Sequence, residues 1–528
     1  MNSQADVRKQ SRVWRLEAPD EATMRGIAAQ QAPWLEPGDS IALTGDLGSG
    51  KTTFARGLIQ ALLSSPEFEV PSPTYTLMQI YDAPEARVVH ADFYRLRGAA
   101  ELENLGWDEA TTDAITIVEW PERAPEALPP DRLEVAIRFD PQQGPDHRVL
   151  EFRGFGRLTQ RLARAFGVGA LLKRADWADA RRAFLQGDAS IRAYERLTKP
   201  DGSSAILMIS PPRPDGPILR YGKPYAAIAK LSPDIRAFVA MAEGLCKLDY
   251  SAPKVIATSL DDGLALIEDF GAATVVENGV PISSRYAEAV SLLVDLHSRD
   301  LPEILQIRDE TYRLPVYDIE AMLVEVELAL DWYAPSIAKV TVPSGARMQF
   351  LAIWREALAP ILASRTTWTL RDYHSPNLHW LADRDGFARI GLIDFQDAVI
   401  GPPAYDLASL LQDARVDVPE DLEMRLAGLY LRRRAGDDPD FDAERFAAAY
   451  AAMGAQRATK ILGLFARLDK RDGKPDYLRH LSRIERCLAK NLAHPSLRPL
   501  AEWFQNNLPR AIFPPLPAPD SAAAENDA

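Results

Sequence analysis

The stretch Trp368-Thr-Leu-Arg-Asp372-Tyr-His-Ser-Pro-Asn377-Leu-His-Trp-Leu-Ala382, then Asp383-Arg-Asp-Gly386, then Phe387-Ala-Arg-Ile-Gly-Leu-Ile-Asp394-Phe, decides how the larger part of the chain folds. Two apolar runs flank a polar turn that ends in glycine, which is the pattern of a β-hairpin. Asn377 stands just before the first strand and Asp394 at the end of the second, so the hairpin carries both to one end. Asp372 lies on the incoming loop. A lone carboxylate that accepts or orients a hydroxyl proton, beside an Asn/Asp pair that holds Mg²⁺ on nucleotide phosphates, is the equipment of phosphoryl transfer. A D-x-x-x-x-N match alone arises often by chance. Followed by a strand, a turn and Leu-Ile-Asp-Phe, it is far rarer.

On these residues, positions 177 to about 510 resemble the aminoglycoside/choline-kinase-like phosphotransferase family. Gly391-Leu-Ile-Asp-Phe-Gln-Asp-Ala-Val-Ile-Gly-Pro-Pro-Ala-Tyr-Asp406 is especially similar to its bacterial kinases of the anomeric hydroxyl of amino sugars, N-acetylmuramate and N-acetylglucosamine. The resemblance implies a two-lobed, protein-kinase-like fold that uses ATP and Mg²⁺. Asp372 would orient the nucleophile, Asn377 and Asp394 would hold the metal, and Asp406 would brace the catalytic loop. Trp177 to Leu185 reads as a helix, and Gly187 to Tyr194 as the turn of a nucleotide-covering hairpin, though without the further glycines of a kinase loop. Ala265-Leu-Ile-Glu268-Asp-Phe270-Gly resembles the hinge whose backbone meets adenine. One departure stands out: Ser203 to Ser210 has Met208 where a phosphate-contacting lysine is expected. Lys199, Lys223 and Lys230 are near in sequence, and nothing chooses among them. Phosphorylation of another small alcohol, such as an aminoglycoside or choline, and a catalytically silent scaffold remain alternatives.

The first third carries a second phosphate motif. Gly45-Asp46-Leu47-Gly48-Ser49-Gly50-Lys51-Thr52 fits G-x-x-x-x-G-K-[ST] between a strand, Ser40 to Thr44, and a helix that begins near Thr53. In that setting the glycines let backbone N–H groups curl round phosphates at a helix N-terminus. Lys51 reaches the β/γ-phosphates and the Thr52 hydroxyl binds Mg²⁺. Two apolar runs end in acids, Val88-Val-His-Ala-Asp92 and Ile115-Thr-Ile-Val-Glu119, as carboxylates facing a nucleotide would. Together with Ser72-Pro-Thr-Tyr-Thr-Leu, His90-Ala-Asp-Phe-Tyr-Arg-Leu and Val118-Glu-Trp-Pro-Glu, the loop makes residues 13 to 156 resemble the TsaE family, ATPase subunits of the bacterial machinery that makes threonylcarbamoyladenosine in tRNA. The resemblance implies slow ATP hydrolysis in complex with the other subunits of that machinery, and contact with tRNA only indirectly. Thr52 and Glu119 would be at the magnesium, with Asp92 an acidic support or water-orienting group. The sequence does not tell the two acids apart.

The expected architecture is therefore α/β: a P-loop domain over 1–156, a linker over 157–176, a two-lobed kinase-like domain over 177–512 and a disordered tail over 513–528. With 528 residues, 47% of them hydrophobic, both catalytic parts are long enough to bury cores. The net charge of −14 argues against broad binding to nucleic acid or anionic membranes. The two cysteines, Cys246 and Cys487, lack metal-ligand spacing and read as free thiols. The polar first residues lack a signal peptide's apolar core, and no run reaches membrane-spanning length, which places the chain in the cytoplasm.

Overall fold

The strands of the first unit are, in chain order, Val13–Ala18 (β1), Ser40–Thr44 (β2), Met78–Asp82 (β3), Arg87–Asp92 (β4), Ala114–Glu119 (β5), Arg132–Phe139 (β6) and Arg148–Phe155 (β7). They form one sheet in the order β1-β7-β6-β2-β5-β4-β3. β2 lies parallel to both its neighbours, β5 and β6, and β4 runs parallel to β5. The β1–β7, β6–β7 and β3–β4 pairs are antiparallel. β2, β4 and β5 are nearly continuous apolar runs because layers cover both faces of the sheet. On one face Met24 and Ile27 of helix Glu21–Ala29 (α1), and Phe54 and Leu58 of helix Lys51–Leu62 (α2), pack with Ile41, Leu43 and Phe152. On the other, Val89, Ala91 and Val118 pack with Phe93 and Trp107. Asp20 caps α1 by accepting from Thr23 N–H at 2.7 Å, a contact worth about 1 kcal/mol. β2 has later strands on both sides, so its carboxyl end is a topological switch point, where open α/β sheets bind ligands.

A computed structural model describes residues 13–98, 100–185, 192–213, 216–364 and 366–508, and the chain divides into two units between Ala178 and Asp179. The stretch read as a linker, in which Leu158 to Lys173 reads as a helix, is a helix over Arg157–Arg174 that belongs to the first unit. Its Leu158 and Leu162 enter the core, and Phe166 stacks on Trp14 at 5.4 Å. Arg161 pairs with Glu36 and Asp39. An apolar face and these pairs hold it to the sheet.

The second unit opens with an antiparallel sheet. Its order is Val255–Ser259, Leu264–Glu268, Ser204–Ile209 (β10), Ala193–Thr198 (β9) and Arg181–Leu185 (β8). In place of the helix expected over 177–185 stands a strand over its second half: β8 pairs along its whole length with β9, and Arg182 forks onto Glu195 at 2.6 and 2.9 Å. Pairing partners distant in sequence outweighed local propensity. Met208 of β10 sits in the core, opposite Tyr194 of β9. Met208→Ala should therefore lower stability by about 2–5 kcal/mol. Phosphoryl transfer should be unchanged wherever the protein stays folded. Chemical denaturation beside steady-state kinetics checks both.

Helices make up most of the remainder, around Ala443–Asp472, which is 30 residues long. Gly463 is where that helix crosses Leu328, and a Cβ there would lie 2.1 Å from the Leu328 carbonyl carbon. Arg432 to Arg434 reads from sequence as a solvated face, but Arg434 is buried and donates to Ser298 Oγ. His297 is buried against Tyr430, with Nδ1 2.9 Å from its hydroxyl, a packing role. The turn at Gly187 to Ser190 and the tail 513–528 lie outside the described residues.

Candidate functional site

In the first unit, the chain leaves β2 at Gly45 and enters α2 at Lys51. Gly45 has φ 141°, and a Cβ there would stand 2.3 Å from the Ile137 carbonyl oxygen, so only glycine fits. Asp46, Leu47, Gly48, Ser49 and Gly50 complete the loop ahead of the helix N-terminus, and Thr53 follows in the first turn. Lys51 Nζ donates to the carbonyls of Gly45 and Asp46 at 2.6 and 2.9 Å. It also lies 3.8 Å from the centre of the Trp120 ring. Burial pushes its ammonium below the usual range, while Glu119 and neighbouring acids hold it up. Trp120 itself has φ 57°, a conformation that costs a non-glycine residue about 1–3 kcal/mol.

The two strand-end acids sit in register on β4 and β5, yet their partners differ. Glu119 Oε2 accepts from Thr52 Oγ1 at 2.9 Å, and Oε1 lies 2.9 Å from His90 Nε2. Asp92 accepts from Thr74 Oγ1 at 2.6 Å and from Tyr94 N–H at 2.9 Å. Glu119 thus meets the P-loop hydroxyl, while Asp92 ties down the Ser72–Thr74 segment. His90 was visible in sequence only as one letter of a motif.

In the second unit the hairpin forms as Leu378–Trp380 against Ile390–Leu392, antiparallel. Asn377 Nδ2 donates to the Asp372 carbonyl at 2.9 Å and lies 3.5 Å from Asp394 Oδ2. Asp372, Asn377 and Asp394 are therefore brought together. The loop before them is held from several sides. Leu370 N–H and Arg371 N–H donate to the buried Asp406 at 2.6 and 2.9 Å, and Ser375 N–H donates to Asp413 at 2.8 Å. Arg371, at φ 67°, has a buried guanidinium that meets Glu325 and the Ala229 carbonyl. Burial lowers the His374 imidazole to about 4, so it is neutral near pH 7. Asp406→Asn would set an amide NH₂ against backbone donors. Stability should fall by about 1–3 kcal/mol and turnover by up to about a hundredfold through loop misplacement. Denaturation and initial rates read the two effects separately.

Asp394, at φ 60°, accepts from Gln396 Nε2 at 3.0 Å and from Arg192 Nη1 at 2.8 Å, both on Oδ1. Burial pushes its carboxyl above the ordinary range, Arg192 opposes this and Asp372 adds to it. Nothing in the sequence pointed to Arg192, which is far from Asp394 along the chain. The side chains of Glu268 and Phe270 are engaged within the protein. Glu268 accepts from Arg384 at 2.7 Å and from Lys254 N–H at 3.2 Å, and the Phe270 ring lies 6.0 Å from that of His379.

The phosphotransferase enzyme family model matches residues 182–450, and that of the threonylcarbamoyl adenosine biosynthesis protein TsaE matches residues 18–148. An N-acetylmuramate/N-acetylglucosamine kinase of Caulobacter vibrioides is 37% identical over 364 residues, 67% of this chain and 99% of its own length. The TsaE protein of Bacillus subtilis is 35% identical over 150 residues, 28% of this chain and 89% of its own. The chain belongs to the phosphotransferase enzyme family, joined to a TsaE-family unit. Among solved structures, YdiB of Bacillus subtilis is 26% identical, with 32% of this chain and 98% of that one covered at a TM-score of 0.25.

This phosphotransferase is an ATP-using enzyme, as membership of both families implies. Magnesium fits the residues present. Asn377 Nδ2 donates to the Asp372 carbonyl and faces Asp394 Oδ2, and the Asn377 amide oxygen with the Asp394 carboxylate is the donor pair that would hold the ion. Among the described residues no three His, Cys, Asp or Glu side chains form a metal cage. A kinase magnesium needs none, since phosphates and water supply most of its ligands. No described helix is long and apolar enough to cross a membrane.

Proposed function

We propose that the second unit transfers the γ-phosphoryl group of ATP to the anomeric hydroxyl of an N-acetylated amino sugar, as in cell-wall recycling. The first unit is an ATPase subunit of the machinery for threonylcarbamoyladenosine in tRNA. Both act in the cytoplasm, the first with the other subunits of that machinery and with tRNA only through them. The observation that carries the sugar assignment is the match to the Caulobacter kinase along 99% of that protein's length. The chemistry uses Asp372 to accept the hydroxyl proton as the sugar oxygen bonds to phosphorus and ADP leaves. Asn377 and Asp394 hold magnesium, which neutralises charge on the phosphates. In the first unit Gly45 to Thr53 cradle ATP, Lys51 grips its phosphates, and Thr52 and Glu119 hold the metal. Asp92 orders the segment beside them. At the hinge, the backbone from Glu268 to Phe270 meets adenine.

A phosphorylation screen of the full chain against N-acetylmuramate, N-acetylglucosamine, aminoglycosides and choline tests the assignment. The expected product is a sugar 1-phosphate, seen as loss of the reducing end together with ADP release. ADP release with choline or an aminoglycoside, but with neither sugar, would overturn the substrate class. Retention of Asp372, Asn377 and Asp394 at one point argues against a silent scaffold.

A further inference from the structure

Arg457, on the long helix Ala443–Asp472, is 7% exposed, yet its guanidinium makes no hydrogen bond or ion pair among the described residues. The two other arginines that the described residues bury as deeply are both partnered. Arg371 meets Glu325 and the Ala229 carbonyl, and Arg434 donates to Ser298. A buried charge with no counter-charge is costly, so a native fold that keeps one has a use for it besides packing. The acids nearby are committed elsewhere. Asp406 accepts from the N–H groups of Leu370 and Arg371, Asp413 from Ser375 and Arg415, and Glu423 from Gln412, Tyr450 and Lys490.

Arg457 lies beside the catalytic loop. It lines a small cavity with Ala408, Gln412, Ala458, Ile461, Ile484 and Cys487. Gln412 is followed by Asp413, which takes the N–H and the hydroxyl of Ser375 at 2.8 and 2.6 Å and so ties the cavity wall to the loop. The charge of Arg457 is felt at His374, two residues after Asp372: burial lowers that imidazole, Asp413 opposes this and Arg457 adds to it. It is felt also at Asp406, which burial raises and which the Leu370 and Arg371 bonds and Arg457 hold down. Gln412 spends its amide on Glu423 and Asn491. The cavity therefore offers one uncommitted cation among largely apolar walls.

We propose that Arg457 receives the carboxylate of an acidic amino sugar and sets the second unit's preference for N-acetylmuramate over N-acetylglucosamine. This rests on reading that unit as an amino-sugar kinase. The two sugars differ only in the lactyl ether that N-acetylmuramate carries on its C3 oxygen, a methyl-bearing carbon that ends in a carboxylate. A guanidinium meets a carboxylate with two parallel N–H donors. Apolar walls suit the methyl group and strengthen the charge pair by thinning the water around it. With the C1 hydroxyl at Asp372, the C3 substituent projects beyond the reacting atoms. Its partner must come from an element next to the loop, as Arg457 does.

Discrimination between the two sugars is the test, since an arginine kept only for the fold would affect both alike. In the full chain, Arg457→Met should lower kcat/KM for N-acetylmuramate by about 30-fold, the range of a lost charge-assisted hydrogen bond. The loss should fall on KM, and N-acetylglucosamine should change by less than about threefold. Arg457→Lys should recover part of the loss. The methyl ester of N-acetylmuramate, which lacks the charge, should serve the unaltered chain as poorly as the acid serves Arg457→Met. That ester comparison stands even if the methionine variant does not fold. Equal losses with both sugars, no loss with either, or an ester used as well as the acid would overturn the role of Arg457. So would an unaltered chain that phosphorylates N-acetylglucosamine but not N-acetylmuramate, an outcome that leaves the amino-sugar reading standing. Phosphorylation of neither sugar would fail that reading itself, and this inference with it.

Discussion

Asp372→Asn is expected to lower sugar phosphorylation by about a thousandfold, within the range for loss of a positioned general base. Asparagine keeps the size of the side chain, and the loop's supports lie elsewhere, in Asp406, Asp413 and the Asn377 bond to the residue 372 carbonyl. The loop should therefore hold its shape. What disappears is the carboxylate that accepts the hydroxyl proton as the oxygen attacks. Mg-ATP affinity at this unit should stay within about threefold, because the magnesium pair, Asn377 and Asp394, is untouched. Initial rates with saturating sugar and calorimetric ATP binding separate the two quantities. A rate within tenfold of the parent would mean that Asp372 does not take the proton, and another base would have to be sought.

The elements that sequence made legible share one property: their logic is local. A strand, a glycine loop and a helix follow one another over Ser40 to Leu62, so the P-loop could be read with its setting. The hairpin carrying Asn377 and Asp394 is likewise continuous, and its pairing fixes their meeting. What stayed hidden depends on contacts between distant segments. Residues 181 to 185 are a strand only because β9 offers partners, and Arg192 reaches Asp394 only because the sheet folds over the hairpin. Asp92 and Glu119 read alike, each an acid closing an apolar run. They part only when Thr52 and Thr74 arrive from other segments to claim one each. The helix over 157 to 174 looked like a connector because nothing in its own composition reveals the sheet face that it covers.

Lys51→Ala is expected to remove ATP turnover by the first unit, a loss of more than about a hundredfold for one charged donor to phosphate. The argument is one of supply. Around the loop, the groups near Lys51 are acids, Glu119, Glu122, Asp92 and Asp46, with the Trp120 ring. A triphosphate brought among them needs a cation to cancel its charge, and Lys51 stands at the loop's own carbonyls to provide it. Thr52 and Glu119 would still offer a metal position, so residual Mg-ATP binding is compatible with lost turnover. Hydrolysis is best measured in the full chain with Asp372→Asn, together with the other subunits that TsaE-family proteins act with, so that sugar phosphorylation contributes nothing. Undiminished hydrolysis would show that Lys51 does not carry the phosphate charge. The converse control concerns independence. Each unit holds its own phosphate- and metal-handling set, so Lys51→Ala should leave sugar phosphorylation unaltered. ATP affinity at either site should then shift by less than about threefold, ~0.7 kcal/mol, when the other is disabled. Linkage makes any binding coupling reciprocal, so a larger shift seen from one site must appear from the other. Such a pair of shifts would mean that the two activities regulate each other within one chain.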